Sequence, residues 1–315
     1  MEEGNAIRGG GRRRRVVIVL AACVLVGIGL VAFWPGEREP EYQGKRLTEW
    51  LIFRGTAKSE VQVREAEDAV RHIGTNGLPC LIKWMSYRAP PWKEKMLHWQ
   101  IFNVLPAPLG QNFFRPEIQR LWALDGFRVL APTSSEVIPE LTRVVDQWPN
   151  SSWERALVTM SCLGTNGFVA LYEIATNQTR VAEVRCEAMG NLGSRIGRNR
   201  DGSPAEWGAS KIFVPGLVQC LDERNVAWGA ARALGRARLA PEVVVPALTN
   251  AIQFTDVRTR VFVVEALGQF GKDARGAVPV LIANLNDADE RIHLAVTNAL
   301  SRIAPEVLTN GVKDF

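Results

Sequence analysis

Histidine and closely spaced cysteine pairs are almost missing from this sequence of 315 residues. Its three histidines, His72, His98 and His293, lie far apart, and none of its five cysteines forms a Cys-x-x-Cys pair. Because zinc sites need several ligands at short spacings, we predict no metal site. The odd cysteine count in a long chain also excludes a disulfide-stapled scaffold. Nucleophile-elbow, zinc-protease, phosphate-loop and dinucleotide-binding motifs are absent as well, so we expect neither an enzyme nor a bound cofactor.

A strong excess of one charge is also missing from most of the chain. The net charge is +5, from 38 basic and 33 acidic side chains. Residues 1–35 hold five of the arginines and two of the glutamates, so the rest of the chain is nearly neutral. Nucleic-acid binding depends on a basic surface that displaces counterions from phosphates. The sequence therefore predicts no nucleic-acid partner.

A long uncharged run lies near the amino terminus. Val16 to Trp34 contains no charged residue, and Arg12 to Arg15 directly precede it. As a helix this run would extend roughly 28 Å, about the thickness of a hydrocarbon core. The arginines favour a cytoplasmic amino terminus. The sequence predicts a cytoplasmic tail at 1–15, a transmembrane signal anchor at 16–34 and a linker at 35–46. The protein is then expected to be single-pass in the inner membrane, with its remaining chain periplasmic.

Two alternatives for this amino-terminal segment stay open. The first is a cleaved signal peptide, although no good small-x-small cleavage site follows the apolar run. The second is lipidation of Cys23, because Leu20-Ala21-Ala22-Cys23 is similar to a lipobox. The mostly apolar residues that follow Cys23 count against lipidation, since a lipoprotein usually turns polar there.

A repeat of 33 residues runs through the carboxyl-terminal half of the chain. Ala233, Ala266 and Ala299 are separated by equal steps of 33 residues, and the heptapeptides 187–193 and 265–271 differ only by conservative exchanges. A second marker, an apolar residue followed by Pro, any residue and Leu, recurs at 78–81, 138–141, 214–217, 245–248 and 278–281. Repeats of this length indicate stacked units that share a continuous core.

One unit, residues 256–285, shows how the repeat is built. Asp256 can cap a helix by accepting backbone N–H bonds. The apolar residues that follow are spaced as on one helix face: Val257, Val261, Val264 and Leu267. Gly271 predicts a left-handed helix end, and Pro279 suits the first turn of a second helix, where no N–H is needed. The unit is therefore a predicted helix pair.

The two markers resemble short bacterial HEAT repeats, with Ala-Leu-Gly closing a first helix and Val-Pro-x-Leu opening a second, over about 60–310. The resemblance implies an all-α solenoid of about seven to eight helix pairs over 47–315, preceded by the transmembrane helix. It implies a protein-interaction scaffold with an unidentified protein partner. The units are expected at about 47–85, 92–122, 117–148, 151–177, 179–222, 224–253, 256–286 and 288–310. HEAT-like lyases or chaperone-type factors that act on tetrapyrrole attachment have similar repeats and form a minor alternative.

Residues 42–51 also resemble a short motif at the start of membrane-anchored bacterial HEAT proteins. In this segment Leu47, Trp50 and Leu51 share one face of a predicted helix. That apolar face is suited to cover the exposed end of the repeat array.

An insertion at 194–210 interrupts the repeat spacing. It contains Arg195, Arg198 and Arg200 and an aromatic anchor, Trp207. Long loops on rigid scaffolds often carry binding residues, so these four are predicted to contact a partner or an anionic ligand. The alternative is a solvated insertion without function.

Aromatic residues are concentrated in the segment 84–127, which includes Trp92 and Trp99. One interpretation is a groove that binds an envelope glycan or another polymer, with these two tryptophans as contacts. The other is dense packing in an irregular repeat, because buried aromatics supply a large apolar area.

Overall fold

The computed structural model describes residues 38–87, 107–130, 135–147, 152–196, 208–253 and 256–309. They form two compact units, which meet in the chain between Val129 and Leu130. Both units consist almost entirely of helices. This confirms the predicted all-α class, apart from one short hairpin.

The predicted single-pass membrane localisation is corrected by the structure. No helix among the residues that the structure describes is both long enough and apolar enough to cross a membrane. The segment predicted to do so, 16–34, lies outside those residues, as does the cytoplasmic tail predicted at 1–15. The described structure therefore does not support the predicted inner-membrane and periplasmic localisation.

The first unit begins with a hairpin inside the segment predicted to be a linker. The turn residues Gln43 and Gly44 both have positive φ, as a type I′ hairpin turn requires. The hairpin leads directly into the first helix. The elements are β1 Glu41–Tyr42, β2 Lys45–Arg46, α1 Leu47–Thr56, α2 Glu60–Ile73, α3 Leu78–Ser86 and α4 Ala107–Leu130. The continuous helix α4 replaces the unit boundary predicted near 117–122.

A buried carboxylate anchors the start of α1. Glu39 accepts a hydrogen bond from the backbone N–H of Thr48 at 2.9 Å and another from the Gln119 side chain at 2.8 Å. This carboxylate satisfies an unpaired N–H of the first helical turn and joins α1 to α4. The apolar face predicted for α1 is confirmed, since Leu47, Trp50 and Leu51 are buried.

The second unit is a stack of helices in two layers. The first-layer helices α6, α8, α10, α12 and α14 each pack on the next, and a second layer packs against them. The elements are α5 Ile138–Asp146, α6 Trp153–Met160, α7 Gly164–Thr176, α8 Ala182–Gly193, α9 Ala209–Gln219, α10 Ala227–Ala237, α11 Pro241–Ala251, α12 Val257–Phe270, α13 Val278–Ala283, α14 Glu290–Ile303 and α15 Pro305–Thr309.

The helix ends follow the local rules that the sequence predicts. Asp256 caps α12 by accepting a hydrogen bond from the N–H of Thr259 at 3.2 Å. Gly271 ends α12 with a φ of 57°, and Pro279 lies in the first turn of α13. The cap, the helix end and the proline of the repeat unit 256–286 are thereby confirmed, although Gly271 has a ψ of -130° and so is not in the left-handed helical conformation predicted for it.

Glycines allow the first-layer helices to approach backbone to backbone. A Cβ on Gly235 would lie 2.7 Å from the Cα of Ala266, and one on Gly268 would lie 3.1 Å from the Cα of Ala299. A Cβ on Gly193 would lie 2.5 Å from the Cα of Ala233. The sequence repeat instead aligns Gly190 with Gly268. In the structure the glycine of α8 that faces the neighbouring backbone is Gly193, so the sequence alignment is wrong by one helical turn. Only the stacked helices show which glycine takes this position.

Candidate functional site

The position after each stacking glycine forms a row of polar side chains along one edge of the second unit. In α10 and α12 this position follows Gly235 and Gly268. In α14 the corresponding position follows Ser301, which occupies the place of the glycine. The row runs over four consecutive first-layer helices: Ser194, Arg236, Gln269 and Arg302. Its last three members are separated by the repeat length of 33 residues, so the stacking places them side by side.

This polar row borders an open cleft of about 510 Å³, which we call the arginine cleft. Three exposed arginines line it, and no acidic side chain does. Among the residues that the structure describes, no carboxylate forms an ion pair with any of the three arginines. The lining residues are Ser194, Arg236, Arg238, Gly268, Gln269 and Arg302.

Part of this charge is explained by helix stability. Arg236 and Arg302 lie in the last turns of α10 and α14. There a cation interacts favourably with the helix macrodipole, which contributes about 0.3–1 kcal/mol. Arg238 lies beyond the last turn of α10, so helix stability accounts for it less well.

Arg238 has an unusual backbone conformation. It ends α10 with φ 50° and ψ 41°, which is left-handed. The residue one repeat later is Gly271, with φ 57°, and α2 also ends at a glycine with positive φ, Gly74. A side chain in this conformation costs about 1–2 kcal/mol, and such strain concentrates at functional positions. Arg238 thus lines the cleft from a backbone position at which the next repeat has a glycine.

Replacing Arg238 by glycine is expected to raise the free energy of unfolding by about 0.5–1 kcal/mol. Removing the strain stabilises the fold, while the greater freedom of glycine in the unfolded chain offsets part of the gain. Urea unfolding followed by circular dichroism measures the difference. A loss of stability in Arg238→Gly would show that the side chain has a structural role instead.

Other polar clusters of the second unit join its elements. Arg185, at the fourth position of α8, has a 5% exposed side chain that pairs with Glu223 at 2.6 Å and 2.9 Å and with the Ala175 carbonyl at 2.9 Å. The hydrogen bonds from Arg185 lower the pKa of the Glu223 carboxyl. Arg260, at the fourth position of α12, binds the Asn284 side chain at 2.6 Å. Both arginines hold the loop that ends their own repeat.

The repeated acids and arginines between units form helix caps, ion pairs and one cation–π contact. Asp256 caps a helix, Asp287 pairs with Arg260, and Arg291 pairs with Asp289. Arg258 lies over the Trp228 ring, with its Cζ 3.8 Å from the ring centroid. These contacts are the caps and inter-repeat interactions that stabilise stacked helices.

The cysteines show no redox or metal-binding arrangement among the described residues. Cys162 and Cys186 belong to neighbouring repeat units in the sequence, and both are free thiols in the structure. Burial raises the pKa of Cys186 to about 11, so its reactive thiolate is scarce near neutral pH. Within the described ranges no cluster of His, Cys, Asp or Glu is arranged to hold a metal ion.

The structure describes one of the six residues that the sequence predicts to bind a partner. Arg195 is exposed at the end of α8, directly after the cleft residue Ser194. The other five lie outside the described residues: Arg198, Arg200, Trp207, Trp92 and Trp99. Sequence reasoning missed Arg236, Arg238 and Arg302. Two signals were available in the sequence. Arg236 and Arg302 are 66 residues apart, which is twice the repeat length, and position 238 has an arginine where the next repeat has Gly271.

Comparison with known proteins supports the repeat class. Residues 214–301 match the family model described as HEAT repeats. This matched segment contains α10, α12 and most of α14, and thus most of the arginine cleft. Together with the two-layer stack, the match supports HEAT-like repeats over residues 214–301.

A solved structure titled as an engineered protein is similar over 81% of this chain and 95% of its own, with 17% sequence identity and a TM-score of 0.34. No curated protein matches the chain.

Proposed function

We propose that this HEAT-repeat protein is a non-catalytic scaffold that binds an acidic segment of a partner protein in the arginine cleft. One observation carries the proposal: Arg236, Arg238 and Arg302 line one open cleft and have no acidic partners among the described residues. Arginine donates several hydrogen bonds in a fixed planar arrangement and remains charged at all relevant pH values. The cleft is therefore suited to carboxylates.

A protein partner is favoured over nucleic acid by the charge distribution. Residues outside the amino-terminal 35 are nearly neutral in sum, whereas the cleft is lined by three arginines and no acidic residue. Nucleic acid requires many phosphate contacts over an extended basic surface. An acidic protein segment needs only a few charge-assisted hydrogen bonds.

The predicted insertion residues extend this proposal. Arg195 follows Ser194 at the α8 end of the cleft, and Arg198 and Arg200 lie a few residues further along the chain. We expect them, together with Trp207, to add charge and one aromatic contact at that end. Because loops on repeat scaffolds vary without affecting the core, the insertion is a natural place for partner selectivity.

Charge reversal tests the cleft. The double variant Arg236→Glu with Arg302→Glu is expected to weaken binding of a fluorescently labelled oligoglutamate peptide by at least about tenfold, which corresponds to about 1.4 kcal/mol. Fluorescence anisotropy at physiological salt measures the affinity. Arg224→Glu is the matched control, because Arg224 is exposed and lies outside the cleft.

Unchanged peptide affinity in the double variant would contradict the cleft assignment. Tighter binding of a DNA oligonucleotide than of the peptide, with a steep salt dependence, would show a nucleic-acid partner instead. Far-ultraviolet circular dichroism of all variants establishes that the helices remain folded.

A further inference from the structure

We infer that the occupant of the arginine cleft is an extended acidic segment that crosses the ends of α10, α12 and α14, with two adjacent acidic residues at α10 and a third about five residues away at α14. The inference rests on the proposed function and adds the length and charge pattern of the ligand. It follows from the arrangement of the polar row and from the position of Arg238.

The spacing of the charges comes from the helix stack. Arg236 and Arg302 occupy the same position in α10 and α14, with α12 between them. Packed helices lie about 8–10 Å apart, so two steps cover roughly 16–20 Å. An extended chain advances about 3.3 Å per residue, so this distance corresponds to roughly five to six residues. Acidic side chains on adjacent residues alone would reach only one end of the cleft.

The middle of the cleft is polar and uncharged. Gln269 lies one step from each of these arginines, and its half-buried side chain makes no hydrogen bond in the described part of the chain. An amide both donates and accepts, which matches the N–H and C=O of a peptide unit. We therefore expect Gln269 to bind the backbone of the ligand, while the arginines bind its acidic side chains.

The two ends of the cleft differ in charge. Arg236 and Arg238 both come from the end of α10, whereas α14 supplies Arg302. Two guanidinium groups at one end are suited to two carboxylates, and one guanidinium at the other end to a single carboxylate. Arg238 is thus the specificity-determining residue, because it makes the α10 end of the cleft suited to two carboxylates instead of one.

Three labelled peptides of equal composition test the charge pattern. The first has two adjacent glutamates followed, after a spacer of about four alanine and serine residues, by a third glutamate. The second has the three glutamates together, and the third has them evenly spaced over the same length. We expect the first to bind about tenfold more tightly than either of the others. Arg238→Gly is expected to remove the preference over the evenly spaced peptide, because one guanidinium then remains at each end, whereas Arg224→Glu is expected to preserve it.

The outcomes separate this inference from the proposed function. Equal affinity for the three peptides, all weakened by reversal of Arg236 and Arg302, would overturn the charge pattern and leave the acidic-segment scaffold standing. Failure of these peptides and of oligoglutamate to bind would overturn both. Because Arg238→Gly is expected to stabilise the fold, loss of selectivity in that variant cannot come from unfolding.

Discussion

Replacing Glu223 by alanine is expected to lower the free energy of unfolding by about 3 kcal/mol. The reason is the partner that remains, because the Arg185 side chain is only 5% exposed and would keep its charge without a carboxylate. Breaking a buried ion pair from one side costs about 3–5 kcal/mol, and the partial exposure of Glu223 places the effect at the lower end. Urea unfolding followed by circular dichroism measures the change.

A matched control and a double variant distinguish the ion pair from a general effect of substitution. Glu183 is exposed on the same helix as Arg185, and Glu183→Ala is expected to change stability by less than about 0.5 kcal/mol. Replacing Arg185 by methionine together with Glu223→Ala should recover part of the loss, because no unpaired buried charge remains. A loss below about 0.5 kcal/mol in Glu223→Ala alone would show that water stabilises Arg185 equally well.

The same pair predicts a dependence on pH. Its hydrogen bonds lower the pKa of Glu223 in the folded protein, whereas in the unfolded chain the pKa is about 4.3. The carboxylate therefore stabilises the fold fully above the unfolded pKa, and this contribution is lost as pH falls through the folded pKa. The stability difference between the wild type and Glu223→Gln should be constant near neutral pH and shrink below about pH 4.

Gly193→Ala is expected to destabilise the second unit by about 2–3 kcal/mol. An added Cβ would lie 2.5 Å from the Cα of Ala233, so α8 and α10 would have to separate. Overpacking of this kind typically costs 1–3 kcal/mol, and a backbone obstacle cannot relax by changing rotamer. The gain of about 1 kcal/mol from replacing glycine by alanine within a helix only partly offsets the cost.

Other glycines provide a graded control series for this prediction. An added Cβ would lie 2.7 Å from the nearest backbone Cα at Gly235 and 3.1 Å from it at Gly268. Gly268→Ala is therefore expected to leave the free energy of unfolding nearly unchanged. Gly276 has no neighbouring atom within 4 Å of an added Cβ, and Gly276→Ala should leave stability almost unchanged. Thermal unfolding of the four variants tests the order. Equal effects at Gly193 and Gly276 would contradict close backbone stacking as the cause.

The sequence predicts the helices and their ends well because these depend on nearby residues. Asp256 caps α12, Gly271 ends it, and Pro279 lies in the first turn of α13, as the sequence indicates. The apolar faces are also local patterns with a helical period. The candidate site was harder to predict, because its arginines come from two helices that are separated by a repeat.

Contacts between helices account for what the sequence analysis missed. The sequence aligns Gly190 with Gly268, but in the stack Gly193 takes that role, since the choice depends on how far α8 slides along α10. A slide of one turn leaves the helical pattern unchanged but alters which backbone atoms meet. The predicted binding residues Arg198, Arg200 and Trp207 lie outside the described residues, so that prediction remains untested.

By itself, the sequence of this protein determined a stack of helix pairs with a step of 33 residues, because periodicity, caps and helix breakers act over a few neighbouring residues. The tertiary structure alone decided which residues share a surface. It joined Arg185 to Glu223 across 38 positions and placed Arg236 and Arg302 on one cleft. The physical reason is that stacking brings one position of successive repeats to the same edge, whereas the chain itself holds those positions dozens of residues apart.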